Sequence, residues 1–102
     1  GGVNIYPVEI ESVLHGMPGV ADCAVFGIPD DEFGESLAAA IQPVPGAELT
    51  AEAVRAYVHE HMAGYKVPKV VTFHDQLPRE DSGKLFKRKL REPYWAGRAR
   101  RV

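Results

Sequence analysis

The spacing of apolar residues predicts two main helices. Ile10, Val13 and Leu14 follow Pro7 at helical intervals, and proline is favoured at the first position of a helix. A second helix is predicted after Thr50, whose hydroxyl is suited to capping its free backbone N–H groups. The apolar stripe of this second helix consists of Val54, Tyr57, Val58 and Met62.

Three runs rich in apolar and β-favouring residues predict strands. These runs cover residues 20–28, 37–44 and 70–73. A short basic helix is predicted from Phe86 to about Glu92, with Pro93 beyond its end. Packing two helices on one small sheet is the economical arrangement. We therefore predict an α+β domain with a small central antiparallel three-stranded sheet, two main helices packed on it and a short basic C-terminal helix.

Length and composition indicate one ordinary domain without a membrane span. A chain of 102 residues can form a single modest core, and no run of about 18 apolar residues is present. Cys23 is the only cysteine, so a disulfide framework is excluded. Its apolar surroundings predict a buried thiol in a reducing, cytoplasmic compartment. Because the chain opens at Gly1 without an initiator methionine, we expect it to be part of a longer protein.

The charges are distributed very unevenly. Residues 1–65 contain one basic residue, Arg55, and ten acidic ones, whereas residues 66–102 contain eleven basic residues and four acidic ones. The net charge of −2 is therefore the sum of a strongly acidic N-terminal region and a strongly basic C-terminal region. Such asymmetry indicates an anionic ligand or partner for the basic end, although a solvated helix and a basic tail would have the same composition.

Lys84 is the strongest candidate for chemistry. It follows Ser82 and Gly83 in a predicted turn, where glycine permits close approach of a ligand and lysine offers a mobile positive charge. The segment is not a phosphate-binding loop of the Walker type, because Pro78 stands where that motif requires glycine. Stabilisation of developing negative charge is the simplest role for this lysine. No group of Cys, His and carboxylates has the spacing of a metal site, and we predict none.

Three further features leave two interpretations each. Gly1 and Gly2 permit close approach of a ligand, but a flexible chain end has the same composition. Phe33 stands among acidic residues in a loop, where it can cap the core or offer a face for a stacking base. Lys69 lies on a short segment suited to phosphate contacts, but lysines also protect sheet edges.

Taken together, these segments resemble the signature motifs of adenylate-forming enzymes. The resemblance rests on residues 1–11, 25–30 with 34–35, 65–69, 77–84, 87–88 and 90–91. The motifs follow in the expected order, and the chain resembles the C-terminal domain of an acyl-CoA synthetase, of the fatty-acid–CoA ligase kind, in the AMP-binding superfamily. Residues 1–93 are then expected to form that domain and residues 94–102 a basic, mobile tail.

The resemblance implies a two-step reaction. A carboxylic acid, such as a fatty acid, attacks the α-phosphate of ATP to give an acyl-adenylate, and the thiol of coenzyme A then displaces AMP. ATP, Mg²⁺ and the acyl group would be held mainly by an N-terminal domain of the same polypeptide, over which the small domain closes in two orientations. The present chain alone is therefore expected to bind none of these ligands and to lack ligase activity.

The resemblance also implies roles for particular residues. Lys84 aligns with the lysine that enters the site for adenylation. Gly1 and Gly2 align with glycines that line the pantetheine tunnel. Phe33 aligns with a position that stacks on the adenine of coenzyme A, and Lys69 with one that approaches its ribose phosphate.

Two alternative hypotheses, each placing the chain in another class of protein, stay open. One is a nucleic-acid-binding module that uses the basic end, although few aromatic residues are available for stacking; we expect no nucleic-acid partner. The other is a regulatory or interaction domain of the same fold without catalysis, against which the presence of Lys84 argues. Reversible acetylation of Lys84, as in several relatives, and contact of the tail 94–102 with anionic lipid are further hypotheses.

Overall fold

The computed structural model describes residues 7–30, 34–62 and 67–96 and has an α+β fold. Its elements are α1 (Pro7–His15), β1 (Val20–Asp30), β2 (Gly34–Pro43), α2 (Ala51–His61), β3 (Val70–Phe73) and α3 (Lys87–Trp95). The predicted fold class, with three strands, two main helices and a short basic C-terminal helix, is confirmed. Gly1, Gly2 and Phe33 lie outside the described residues. No helix within the described ranges is long and apolar enough to cross a membrane.

The sheet has the strand order β1-β2-β3 and is mixed rather than antiparallel. β1 and β2 form a long antiparallel ribbon from Val20 opposite Pro43 to Asp30 opposite Gly34. β3 pairs with β2 in parallel, so the prediction of an antiparallel sheet is wrong for the third strand. The reason is the helix between them: α2 carries the chain back along the sheet, so that β3 starts at the same end as β2.

One face of the sheet is covered by α1 and α2. Ile10 and Leu14 of α1 and Val54 and Val58 of α2 are fully buried, while Tyr57 is half-buried against them. The predicted apolar stripes are therefore confirmed. The capping prediction is also confirmed, because the Thr50 hydroxyl oxygen accepts a hydrogen bond of 3.0 Å from the backbone N–H of Ala53.

The opposite face is covered by α3 and by the segment before it. The buried residues there are Ala24, Phe26, Ile28, Ala38, Ala40 and Leu77. Leu85, Leu90 and Tyr94 pack against this cluster. Because both faces are covered, the central parts of β1 and β2 are apolar without alternation.

The last helix is longer than predicted. It continues through Pro93 to Trp95, although proline removes one helical hydrogen bond. Packing of the final turn on the sheet offsets that loss: the Tyr94 ring lies 6.0 Å from the Phe26 ring, and the Trp95 indole N–H donates a 3.1 Å hydrogen bond to the Gly27 carbonyl. Pro93 is thus inside the helix, not beyond it. Residues 97–102 of the expected tail lie outside the described residues.

We expect Trp95→Phe to lower the free energy of unfolding by about 1 kcal/mol, since it removes the indole donor but keeps an aromatic ring. Urea denaturation of the 102-residue chain followed by circular dichroism would measure this, because Trp95 is the only tryptophan and its fluorescence is lost in the variant. Unchanged stability would show that the hydrogen bond to Gly27 does not hold α3 in place.

Candidate anion-binding site at the Lys84 hairpin

Lys84 lies on a small hairpin formed by residues 78–86. Arg79 and Leu85 form an antiparallel bridge, and the Glu80 N–H donates a 2.8 Å hydrogen bond to the Lys84 carbonyl. These backbone bonds fix the two arms of the hairpin against each other. The backbone of Lys84 is therefore held in place while its side chain is exposed.

The turn of the hairpin depends on Gly83. Its N–H donates a 2.8 Å hydrogen bond to the Glu80 carbonyl, and its φ of +92° lies in the left-handed region. A Cβ at this position would have open space around it, so the requirement for glycine is conformational rather than steric. The glycine directs the chain so that Lys84 follows at the outer end of the hairpin.

The base of the hairpin is anchored to the sheet by apolar and polar contacts. Leu77 is 2% exposed, and its N–H donates a 3.0 Å hydrogen bond to the side-chain oxygen of Gln42 on β2. Leu85 packs against the same buried cluster from the other arm. The hairpin is thus part of the domain's packed structure and not a free loop.

Arg79 connects the turn to β1. One guanidinium nitrogen, Nη1, donates a 2.7 Å hydrogen bond to the Gly83 carbonyl. The other, Nη2, forms an ion pair with the Asp22 carboxylate. Asp22 in turn accepts a 2.9 Å hydrogen bond from the Cys23 N–H through its second oxygen.

Glu11 makes a second connection close by. Its Oε2 accepts a 2.7 Å hydrogen bond from the Val25 N–H and lies 2.6 Å from the Lys87 ammonium. The carboxylates of α1 and β1 that border the hairpin are therefore each paired with a cation other than Lys84. That pairing reduces their ability to neutralise Lys84 or to repel an anion.

The open cleft beside the hairpin has a volume of about 940 Å³ and includes Lys84 and Arg88. Within the described residues, the Lys84 ammonium has neither a hydrogen-bond nor an ion-pair partner. The Arg88 guanidinium lies 5.9 Å from the centre of the Phe86 ring, which supports it at the cleft edge. This arrangement is suited to an anionic group such as a phosphate or a carboxylate.

Lys69 occupies a different place, directly before β3. Its N–H donates a 2.8 Å hydrogen bond to the Leu37 carbonyl, and its ammonium lies 2.9 Å from an Asp30 carboxylate oxygen. The Asp30 side chain is 3% exposed, whereas that of Lys69 is 63% exposed. The buried carboxylate therefore holds an ammonium that remains open to solvent.

The two lysines lie at opposite ends of β1. Arg79 fixes the Lys84 hairpin to Asp22 near the start of the strand, and Lys69 pairs with Asp30 at its end. At the usual rise per residue, these two aspartates are about 26 Å apart. The structure thus brings Lys84 together with Arg79 and Asp22 but not with Lys69. The other predicted site residues, Gly1, Gly2 and Phe33, lie outside the described part of the chain.

The sequence did not predict the acidic partners of Arg79 and Lys69, which are Asp22 and Asp30. Arg79 lies within the motif at residues 77–84, but its pairing with Asp22 spans 57 positions and leaves no local pattern. Asp30 gave no sign that it would be buried, because an aspartate before a loop is ordinarily exposed. No three His, Cys, Asp or Glu side chains in residues 7–30, 34–62 and 67–96 are placed to hold a metal ion.

Cys23 lies beside these acids and is fully buried. Its thiol contacts the Glu11 carbonyl oxygen, with Sγ at 3.6 Å. Burial, together with the negative charges of Glu11 and Asp22, raises the pKa of Cys23 to about 12. The thiol is therefore protonated and unreactive near neutral pH, in agreement with the predicted buried cysteine.

The family of the chain follows from comparison with known proteins. Residues 9–84 match the AMP-binding enzyme C-terminal domain family, and the chain belongs to this family. A feruloyl-CoA synthase of Amycolatopsis sp is 45% identical over 94 residues, which are 92% of this chain and 19% of that protein. A long-chain-fatty-acid–CoA ligase of Mycobacterium tuberculosis is 46% identical over 96 residues, which are 94% of this chain and 19% of the ligase.

The fold is shared with solved structures at similar coverage. The crystal structure of ATP-bound MatB from Rhodopseudomonas palustris superposes with a TM-score of 0.84 and 42% identity. The match covers 92% of this chain and 19% of that one. The chain therefore spans about a fifth of the length of the proteins it matches.

The raised pKa predicts how Cys23 affects stability at alkaline pH. Between the ordinary thiol pKa of 9.0 and the folded-state value of about 12, the thiol ionises in the unfolded chain but not in the folded one. The free energy of unfolding therefore falls as pH rises through this window, by up to about 1.4 kcal/mol per pH unit, and is independent of Cys23 below it. Urea denaturation of the wild type and of Cys23→Ala at pH 8 and pH 10.5 would measure this. The stability difference between the two proteins should shift against the wild type at the higher pH, and a constant difference would contradict the prediction.

Proposed function

We propose that this chain is the C-terminal lid domain of an ATP-dependent, AMP-forming ligase that joins a fatty or other carboxylic acid to coenzyme A. The observation that carries the proposal is the exposed Lys84 ammonium on a hairpin anchored to the sheet, in a member of the AMP-binding enzyme C-terminal domain family. The activities for which two relatives are named, a feruloyl-CoA synthase and a long-chain-fatty-acid–CoA ligase, support it.

The partner in this proposal is an N-terminal domain of the same polypeptide. Because the chain spans about a fifth of its relatives' length, most of the active site would be supplied by that domain. The described residues have no cluster of three potential metal ligands, so we assign Mg²⁺ to the N-terminal domain as well. The acyl pocket is assigned there too. The buried, protonated Cys23 suits the reducing, cytoplasmic compartment that we also propose for the enzyme.

Lys84 is assigned to the first step. A carboxylate oxygen of the acid attacks the α-phosphorus of ATP, and the bond from that phosphorus to the oxygen bridging to the β-phosphate breaks. The acyl-adenylate forms and pyrophosphate leaves. Negative charge is concentrated where the attacking and leaving oxygens approach the phosphorus, and the Lys84 ammonium offsets it there. Pairing of Glu11 and Asp22 with other cations keeps the Lys84 charge available for this purpose.

The end of β1 at Asp30, where Lys69 lies, is assigned to the second step, the formation of the thioester with coenzyme A. The thiol of coenzyme A gives up its proton and its sulfur attacks the acyl carbonyl carbon, the bond from that carbon to the AMP oxygen breaks, and AMP leaves. Lys69 would approach the ribose phosphate of coenzyme A and Phe33 would stack on its adenine. Gly1 and Gly2 would line the passage for its pantetheine arm. Placement of Lys84 and Lys69 at opposite ends of one strand supports a domain that presents a different side to each step.

The decisive substitution is Lys84→Ala in the full-length enzyme. We expect adenylation, measured by pyrophosphate exchange, to fall by about 10²–10³-fold, because one charge-stabilising group is lost. Thioester formation from pre-formed acyl-adenylate and coenzyme A should survive. Lys84→Gln, which removes the positive charge as acetylation would, should lower adenylation to a similar extent.

The matched control is Lys89→Ala, which removes another exposed lysine a short distance along the chain. It should change neither half-reaction. If Lys84→Ala leaves adenylation intact, the catalytic assignment is wrong and the domain would share only the fold of these ligases.

A second set of substitutions tests the two residues proposed to contact the nucleotide part of coenzyme A. We expect Lys69→Ala to raise the KM for coenzyme A by up to about fivefold, the value of an exposed ionic contact, and Phe33→Ala to raise it as well, with adenylation unchanged in both. Steady-state kinetics with varied coenzyme A would measure this, with Lys89→Ala again as the control. A KM that does not move in either variant would remove both residues from the proposed site.

A further inference from the structure

We propose that Arg79, through its pairing with Asp22, is a positioning residue that fixes Lys84 for adenylation. This inference rests on the function proposed above and adds two residues to its machinery. Neither Arg79 nor Asp22 is proposed to contact the acid or ATP. Their effect would be exerted through the orientation of the hairpin.

The geometry of the Arg79 side chain carries the inference. Its guanidinium donates to two acceptors on different parts of the chain: the Gly83 carbonyl, at 2.7 Å, and the Asp22 carboxylate on β1. Gly83 is the residue directly before Lys84. Arg79 therefore joins the peptide unit that leads into Lys84 to the strand that forms the edge of the sheet. A planar guanidinium with fixed donor directions is suited to such a two-point connection.

The other contacts of the hairpin do not supply this constraint. The Glu80–Lys84 and Gly83–Glu80 backbone bonds define the shape of the hairpin but not its direction relative to β1. Leu77 and Leu85 attach its base through apolar contacts, which have little directional preference. Only the Arg79 contacts, among those described here, fix the outer end of the hairpin to β1.

Burial of the Asp22 carboxylate restricts the geometry of its ion pair with Arg79. The Asp22 side chain is 14% exposed, and its second oxygen is held by the Cys23 N–H at 2.9 Å, so the carboxylate has a defined orientation. Arg79 is more exposed, at 44%, which leaves the ion pair partly screened by solvent. We therefore expect Arg79 to contribute mainly to geometry. A displacement of about 1 Å of a catalytic group can cost up to about 10²-fold in rate.

The test is a double-mutant cycle in the full-length enzyme. Arg79→Ala should lower pyrophosphate exchange by between about 10-fold and about 10²-fold while thioester formation from pre-formed acyl-adenylate is retained. Because Arg79 acts through Lys84, its removal should have no further effect in the Lys84→Ala background. Asp22→Asn, which keeps the shape but removes the charge, should reproduce part of the loss. Arg91→Ala, an exposed arginine on α3, is the matched control and should change neither half-reaction.

The outcomes separate this inference from the proposed function. Equal losses from Arg79→Ala in both backgrounds would mean that Arg79 acts independently of Lys84, which overturns the positioning role. Unchanged adenylation in Arg79→Ala would overturn it too, as would equal loss of both half-reactions, which would indicate a general structural defect. If Lys84→Ala itself has no effect, the proposed function fails first, and the inference fails with it.

Discussion

The antiparallel pairing of β1 with β2 is the interaction on which the rest of the structure depends. The ribbon is buried on both faces, by α1 and α2 on one and by α3 and Leu77 on the other. Within the described part of the chain, both segments with a proposed role are attached to this ribbon: the Lys84 hairpin through Asp22 and Lys69 through Asp30. The ribbon therefore forms the core of the domain and also fixes the positions of the charged groups attached to it.

The charges of the domain are organised by pairing as well as by position. The sequence is acidic in its first two-thirds and basic in its last third, and the fold brings parts of the two regions together. Glu11 pairs with Lys87 and Asp22 with Arg79, so the cleft retains a positive character although acids border it. Partly buried pairs of this kind hold elements together in a defined geometry, and their net contribution to stability is smaller than their number suggests.

Much of the fold could be predicted because its signals are local. The helix after Thr50 has its cap and its apolar stripe within a dozen residues, and the basic segment around Lys84 is continuous in sequence. The direction of β3 could not be predicted from its four residues, because pairing depends on the path of the intervening helix. The end of α3 beyond Pro93 depends on aromatic contacts with β1. The pairing of Arg79 with Asp22, though central to the site, is equally non-local.

The separation of Lys84 from Lys69 along β1 has a consequence for timing. A ribbon buried on both faces is stiff, so neither lysine can approach the other's position by local bending. In an enzyme of the proposed kind, a single active centre could then receive only one end of the domain at a time. The adenylation lysine would be withdrawn whenever the coenzyme A end is in place. Mutual exclusion of the two half-reactions would be a property of the domain's rigidity, with no additional signal required to keep them in order.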